Sequence, residues 1–214
     1  MKIVEIQSEA FKAYGKVIDT AAVSLEGRQS LITYFQTKTE APKEGNVYVA
    51  DERPIHDLPV AAEIQQVVDY DDLQFGYCHG NSTQINALEW HDCQELVLAV
   101  TDCVLYLGHP DDLVEERGNL NLETDCLLAV KLSEGDVVVL HPKVMHFAPT
   151  KVTEQAYRTM IVLEKGTNSP LDHPGDHHLF MTNKWLIAHP DRQDLVDKGA
   201  WPGLRGKNYD WKDI

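Results

Sequence analysis

Two short segments concentrate the residue types that can do chemistry. In NALEWHDCQELVLAVTD, Glu89 and His91 stand two apart, which puts both side chains on one face of a strand. A carboxylate and an imidazole on one face can share a divalent cation or pass a proton. On an extended chain Glu95 would lie ~13 Å beyond His91, too far to join them. A tight turn over Asp92-Cys93-Gln94 would bring it back, and Glu95 would then open a strand running antiparallel beside the first. In GDVVVLHPKVMHFAP, Gly135-Asp136 marks a turn, Val137–Leu140 a strand and Pro142 its interruption, and His146 lies just beyond.

Other residues stand near these segments. His79 precedes the first and is a candidate extra ligand, base or substrate contact; a surface histidine is the plainer reading. Lys143 and Arg158 are candidates to hold an acid group, since a guanidinium can clamp a carboxylate or phosphate; Arg158 can equally pair with a surface acid. His141 can line the mouth of a barrel. The loop DHPGDHH gathers His173, His177 and His178, which suit adventitious metal more than catalysis. Lys184, in NKWLIAHP, reads as a helix-end or surface charge. No phosphate loop, dinucleotide fingerprint or Ser/His/Asp order is present.

The elements that must position these residues fall into three stretches of one domain. Residues 1–74 are a mixed N-terminal extension: Ser8 is placed to cap a helix over Glu9–Tyr14 that Gly15 ends, Leu31–Phe35 suits a strand, and Pro59 starts a helix with Val60, Ala61, Ile64, Val67 and Val68 on one face. Residues 75–165 carry short apolar runs between turn signals: Ile85–Trp90, Leu96–Val100, Val104–Leu107, Leu127–Leu132, Val137–Leu140 and Thr159–Leu163. That pattern predicts a mainly β fold, an antiparallel sandwich or barrel. Residues 166–214 form a C-terminal extension in which Asp191 is placed to cap a helix to Lys198, with Gly199 beyond it. Trp185, Trp201 and Trp211 should pack this tail on the barrel or on a second subunit, and a homodimer is expected.

The two motif segments resemble the paired motifs of the cupin superfamily, whose fold is an antiparallel double-stranded β-helix. The first family motif reads G-x5-H-x-H-x3,4-E-x6-G. Here Glu89 takes the place of the first histidine, His91 the second and Glu95 the glutamate, with Thr83 and Asp102 at the glycine positions. The second reads G-x5-P-x-G-x2-H-x3-N. Gly135 and His146 keep its overall spacing, Pro142 is displaced by one, Val144 stands in the glycine's region and Thr150 replaces the asparagine. Carried over, the resemblance implies metal ligands Glu89, His91, Glu95 and His146, with Glu89 departing from the family pattern. Hard oxygen ligands beside imidazole suit manganese or iron, with zinc also compatible; the alternative is a cupin that has lost its metal. The opening EAFKAYGKVID is similar to the start of ureidoglycolate lyases. TNKWLIAHP and VLEKGTNSPL resemble the C-terminal half of an uncharacterised bacterial cupin family.

Composition bounds the rest. A net charge of −15 repels phosphate backbones and anionic membranes, so nucleic acid and membrane are not expected partners. The apolar share of 43% supports a sizeable core. No apolar run nears the ~20 residues of a membrane span, no secretion signal opens the chain, and four cysteines without CxxC spacing suit reduced thiols; a cytoplasmic location is expected. The function this predicts is a metal-dependent isomerase, epimerase or lyase acting on a small sugar or hydroxy/keto acid, with Glu89 or Glu95 moving the proton. The alternatives are an iron-dependent dioxygenase and a non-catalytic small-molecule-binding cupin.

Overall fold

The computed structural model describes residues 3–173 and 178–213. Its architecture follows from strands that are apolar on both faces. In Glu95–Ala99, Val137–Leu140 and Tyr157–Glu164 successive side chains point to opposite sides of the sheet. One set, including Leu96, Leu98, Val139, Met160 and Val162, packs with Leu31, Phe35, Val60 and Ile64 from two outer helices. The other set, including Val97, Ala99, Val138, Leu140 and Ile161, packs with Cys103, Leu105, Leu107 and Val130 of a facing sheet. Burying each such side chain contributes ~1.5–3 kcal/mol, and covering both faces explains the unbroken apolar runs.

The first sheet has six antiparallel strands in the order Gly15–Val17, Val137–Leu140, Glu95–Ala99, Tyr157–Glu164, Leu73–Gly80, Asn46–Val49. The facing side runs Ile3–Glu5, Leu128–Leu132, Cys103–Leu107, Thr150–Lys151. Isolated bridges from Gly108 to Met145 and from Glu89 to His146 extend it to a three-stranded sheet of Ala87–Trp90, Lys184–Ala188 and Leu179–Met181. The molecule is thus mainly β, as predicted, with two sheets packed into a barrel. Among the described residues no helix is long and apolar enough to cross a membrane.

Several elements differ from the sequence reading. Leu31–Phe35 lies inside the helix Leu25–Lys38, whose N-cap Ser24 accepts from Gly27 N at 3.1 Å. The five-residue run alone suits either element, but Arg28, Leu31, Ile32 and Phe35 share the buried face at helical spacing. The predicted first helix is a 3-10 turn, Glu9–Ala13, without a side-chain cap from Ser8. The helix Pro59–Gln65 forms as predicted and packs outside the sheet. Asp191 caps nothing: the late helix is only Gln193–Val196, entered through Arg192. The N-terminal stretch is woven in, supplying strands to both sheets. The tail packs on its own barrel, where Trp201, Leu204 and Tyr209 cover the outer side of the second sheet and Trp185 stacks on Trp90. These tryptophans therefore give no separate argument for a second subunit.

Candidate metal centre

Each side chain of the centre arrives from a different part of the barrel. Alternation along Ala87–Trp90 turns Leu88 and Trp90 outward into the tail-covered core and leaves Glu89 facing the cavity, with His91 next to it in the cluster. Glu89 and His146 form a backbone pair, with Glu89 N donating to His146 O at 2.6 Å and His146 N to Glu89 O at 2.9 Å. Glu95 is reached by a different route from the one predicted. The strand Glu95–Ala99 does not pair with Ala87–Trp90; residues 91–94 cross from one sheet to the other. The crossing still brings Glu95 Oε2 to 3.5 Å from His91 Nε2 and 3.0 Å from His146 Nε2. Glu89 Oε1 is 3.7 Å from His91 Nε2. The four side chains thus converge, and all four are buried.

The orientation of the two imidazoles suits metal binding. His91 Nδ1 donates to Asn183 O at 2.6 Å and His146 Nδ1 to Val144 O at 3.0 Å. A backbone carbonyl on Nδ1 fixes the ring and presents Nε2 inward, the arrangement usual for metal-ligating histidines. Donor atoms of Glu89, His91 and His146 lie within 4.8 Å of one another. Donors ~2.1 Å from a tetrahedral ion sit roughly 3.4 Å apart, close to the separations seen here. His91 Nε2 is buried and without a hydrogen-bond partner. These residues fit a divalent ion.

Without an ion the cluster balances its own charge. Burial works against ionising Glu95, but His146 and His91 outweigh it and hold the carboxyl at about 2. Burial likewise opposes ionising Glu89, and Lys184 first, then His91, pulls its carboxyl far below the usual range. For His91 burial favours the neutral ring, yet Glu89 and Glu95 raise it to about 10. His146 is raised by Glu95 against the same desolvation. A metal would take the place of those protons.

Lys184 is the side chain at this cluster that the sequence reading placed elsewhere. It is not a surface charge: its ammonium pairs with Glu89 Oε2, and its side chain is 14% exposed. It sits one residue beyond the Trp185–Trp90 pair and so faces His91 across the strands. No local pattern marks it, because its partner lies ninety-five positions earlier.

The centre closes one side of a cavity of about 180 Å³. Glu89, Glu95, His146 and Lys184 line it with Tyr48, Asn168 and an apolar wall that includes Val97, Leu105, Phe147 and Ile161. Asn168 Nδ2 donates to the Tyr48 hydroxyl at 3.1 Å. Burial, and behind it the charge of Glu95 and Glu89, pushes the Tyr48 phenol up.

The three predicted substrate contacts lie elsewhere. His79 follows Cys78, which faces the cavity, so His79 points to the outer side of the sheet; there its Nε2 meets Thr39 Oγ1 at 2.9 Å and its ring meets Phe35. Arg158 pairs across from His79 and shares that outer face, donating to Phe35 O at 2.9 Å and Thr39 O at 3.0 Å at the end of the first helix. Lys143 is exposed, 3.6 Å from Asp92. His141 is outside the cavity lining, with Nε2 3.3 Å from Lys12 O. His178 is buried, its Nε2 accepting from Leu120 N, and His177 lies outside the described residues.

A mainly β barrel with a buried His–carboxylate cluster at a partly apolar cavity is the class of protein that fold and site define. The chain belongs to the family described as "Domain of unknown function (DUF4867)", whose profile matches residues 3–209. No curated protein matches the sequence, and the likeness of the opening to ureidoglycolate lyases gains no support. Similar solved structures are cupin-fold proteins. They include EvdO2 from Micromonospora carbonacea var. aurantiaca complexed with 2-oxoglutarate, at 11% identity, TM-score 0.46, covering 71% of this chain and 86% of that one. A mutant of oxalate decarboxylase OxdC from Bacillus subtilis matches at 9% identity, TM-score 0.37, covering 67% and 31%. Salicylate 1,2-dioxygenase from Pseudoaminobacter salicylatoxidans, with gentisate, matches at 10%, TM-score 0.32, covering 66% and 30%. The chain therefore spans less than a third of the length of these last two, and no activity is carried over from any of them.

Proposed function

We propose that this protein is a metal-dependent enzyme whose His91, His146, Glu95 and Glu89 hold one divalent ion, manganese, iron or zinc, and which isomerises, epimerises or cleaves a small hydroxy/keto acid or sugar. One observation carries the reading. Two buried imidazoles, each tied through Nδ1 to a backbone carbonyl, present Nε2 to two carboxylates beside a cavity. When bound, a divalent ion supplies Lewis-acid polarisation of a carbonyl or hydroxyl oxygen. The chain supplies the rest. The wall of Val97, Leu105, Phe147 and Ile161 gives the substrate an apolar surface beside the charged groups. Glu95 is held by both histidines, whereas Glu89 meets only one of them and Lys184. Glu89 is therefore the carboxylate less committed to the ion, and the one assigned to leave it and to take and return a substrate proton. The cavity lies below the ~300–1,000 Å³ of usual ligand pockets, so the substrate is a small molecule and not a polymer.

Elemental analysis of protein purified without a histidine tag tests the reading. About one ion per chain is expected, and His91→Ala and His146→Ala should each lower it while the circular dichroism stays unchanged. Full occupancy in both variants would move the site elsewhere; a metal-free wild type that takes up no ion would favour the binding-protein alternative.

A second reading has an observation of its own. With Glu89 engaged by Lys184, His91, His146 and Glu95 remain as two histidines and one carboxylate, a set also used by non-haem iron oxygenases. Oxygen uptake by iron-loaded protein with small organic acids separates it from the first.

A further inference from the structure

We infer that Lys184 is the receptor for a carboxylate on the substrate, which makes the natural ligand of this cavity a short hydroxy or keto acid and not a neutral sugar. This deepens the metal-centre reading and rests on it. Lys184 lines the cavity together with Glu89, Glu95 and His146, and its ammonium pairs with Glu89. It has three donors, and among the described residues its one ion pair is to Glu89. Phe147 offers its ring 6.0 Å away, which supports a cation without neutralising it.

The charge count sets the ligand. With neutral imidazoles, a divalent ion and Lys184 bring three positive charges against the two of Glu89 and Glu95. One positive charge is left over in a cavity whose remaining wall is mostly apolar, where an uncompensated charge is costly. A ligand carrying one carboxylate cancels it; a polyol of the same shape does not. Without Lys184 the loaded site would already be neutral and would give an acid no advantage. The volume of about 180 Å³ limits the ligand to a few carbons.

The test compares isosteric probes that differ only in the acid group: glycerate against glycerol, and xylonate against xylitol. Binding is measured by isothermal titration to manganese-loaded protein, with metal content determined on every sample. The wild type should bind the acids about tenfold or more tightly than the polyols, as a charge-assisted contact implies. Lys184→Met should lose that preference by weakening the acids alone, and Lys184→Arg, which keeps the charge, should retain it. Should Lys184→Met not fold, Lys184→Gln, which also removes the charge but keeps a hydrogen-bonding end, takes its place and should lose the preference in the same way. Equal binding of acid and polyol by the wild type, failure of both acids to bind, or an unchanged preference in Lys184→Met overturns the inference. If the wild type takes up no ion, the metal reading fails separately; the role of Lys184 is then decided by whether the ion-free protein shows the same Lys184-dependent preference.

Discussion

Replacing Lys184 by methionine should destabilise the ion-free protein by about 3 kcal/mol, at the lower end of the cost of removing one partner of a buried pair. Methionine keeps most of the apolar stem, so packing near Phe147 is largely retained and the change is one of charge. Glu89 and Lys184 have side chains only 12% and 14% exposed, so water cannot replace the lost partner. His91 can compensate only in part, because its Nε2 is 3.7 Å from Glu89 and is shared with Glu95 at 3.5 Å. For a chain of this size ~3 kcal/mol corresponds to a fall of roughly 6–12 °C in Tm. Urea denaturation at pH 7 with a chelator measures it. Glu89→Gln/Lys184→Met should recover most of the loss, since it leaves no unpaired charge. Repeating the titration with a divalent ion present should shrink the effect, because the ion supplies the missing countercharge. A Lys184→Met variant within ~0.5 kcal/mol of wild type, or a double variant no more stable than the single, would refute this account of the site.

Three further outcomes follow from residues outside the centre. Burial holds His79 down at about 4 against its usual 6.5. The neutral ring is favoured in the folded state, so its contribution is complete above pH 6.5 and is lost as pH falls toward 4, by up to about 3 kcal/mol in all; urea midpoints from pH 7 to 4 should show this slope, and His79→Leu should flatten it. Arg158→Met should cost ~1.5–3 kcal/mol by freeing the carbonyls of Phe35 and Thr39, yet leave metal content and acid binding unchanged; reduced acid binding would return Arg158 to the site. Arg28→Met should cost at least as much, since one buried guanidinium serves Ile18 O, Val23 O and Gly135 O at 2.7–2.9 Å, with thermal unfolding as the check.

The sequence by itself determined the elements with a strong local signature. The apolar runs between turns fixed a mainly β architecture, and Pro59 with its spaced valines and isoleucine marked a helix. Two-residue spacing put Glu89 and His91 on one face, and a reversal of the chain before Glu95 was required if that residue was to join them. Tertiary structure decided what local pattern could not. Leu31–Phe35 is short enough to suit either period, and only packing of Arg28, Leu31, Ile32 and Phe35 against the sheet selects the helix. The turn before Glu95 proved to be a crossing between sheets, because both neighbours of its strand come from distant segments. His79 and Arg158, named as candidate substrate contacts beside the plainer readings of a surface histidine and a surface ion pair, lie on the helix side: both faces of the six-stranded sheet are covered by apolar layers, so alternation carries no sign to tell the cavity side from the helix side. Lys184 was invisible for a related reason. Its meaning depends on a strand pairing that sets it beside Glu89, and an ion pair between residues so far apart in the chain leaves no periodic trace in either segment.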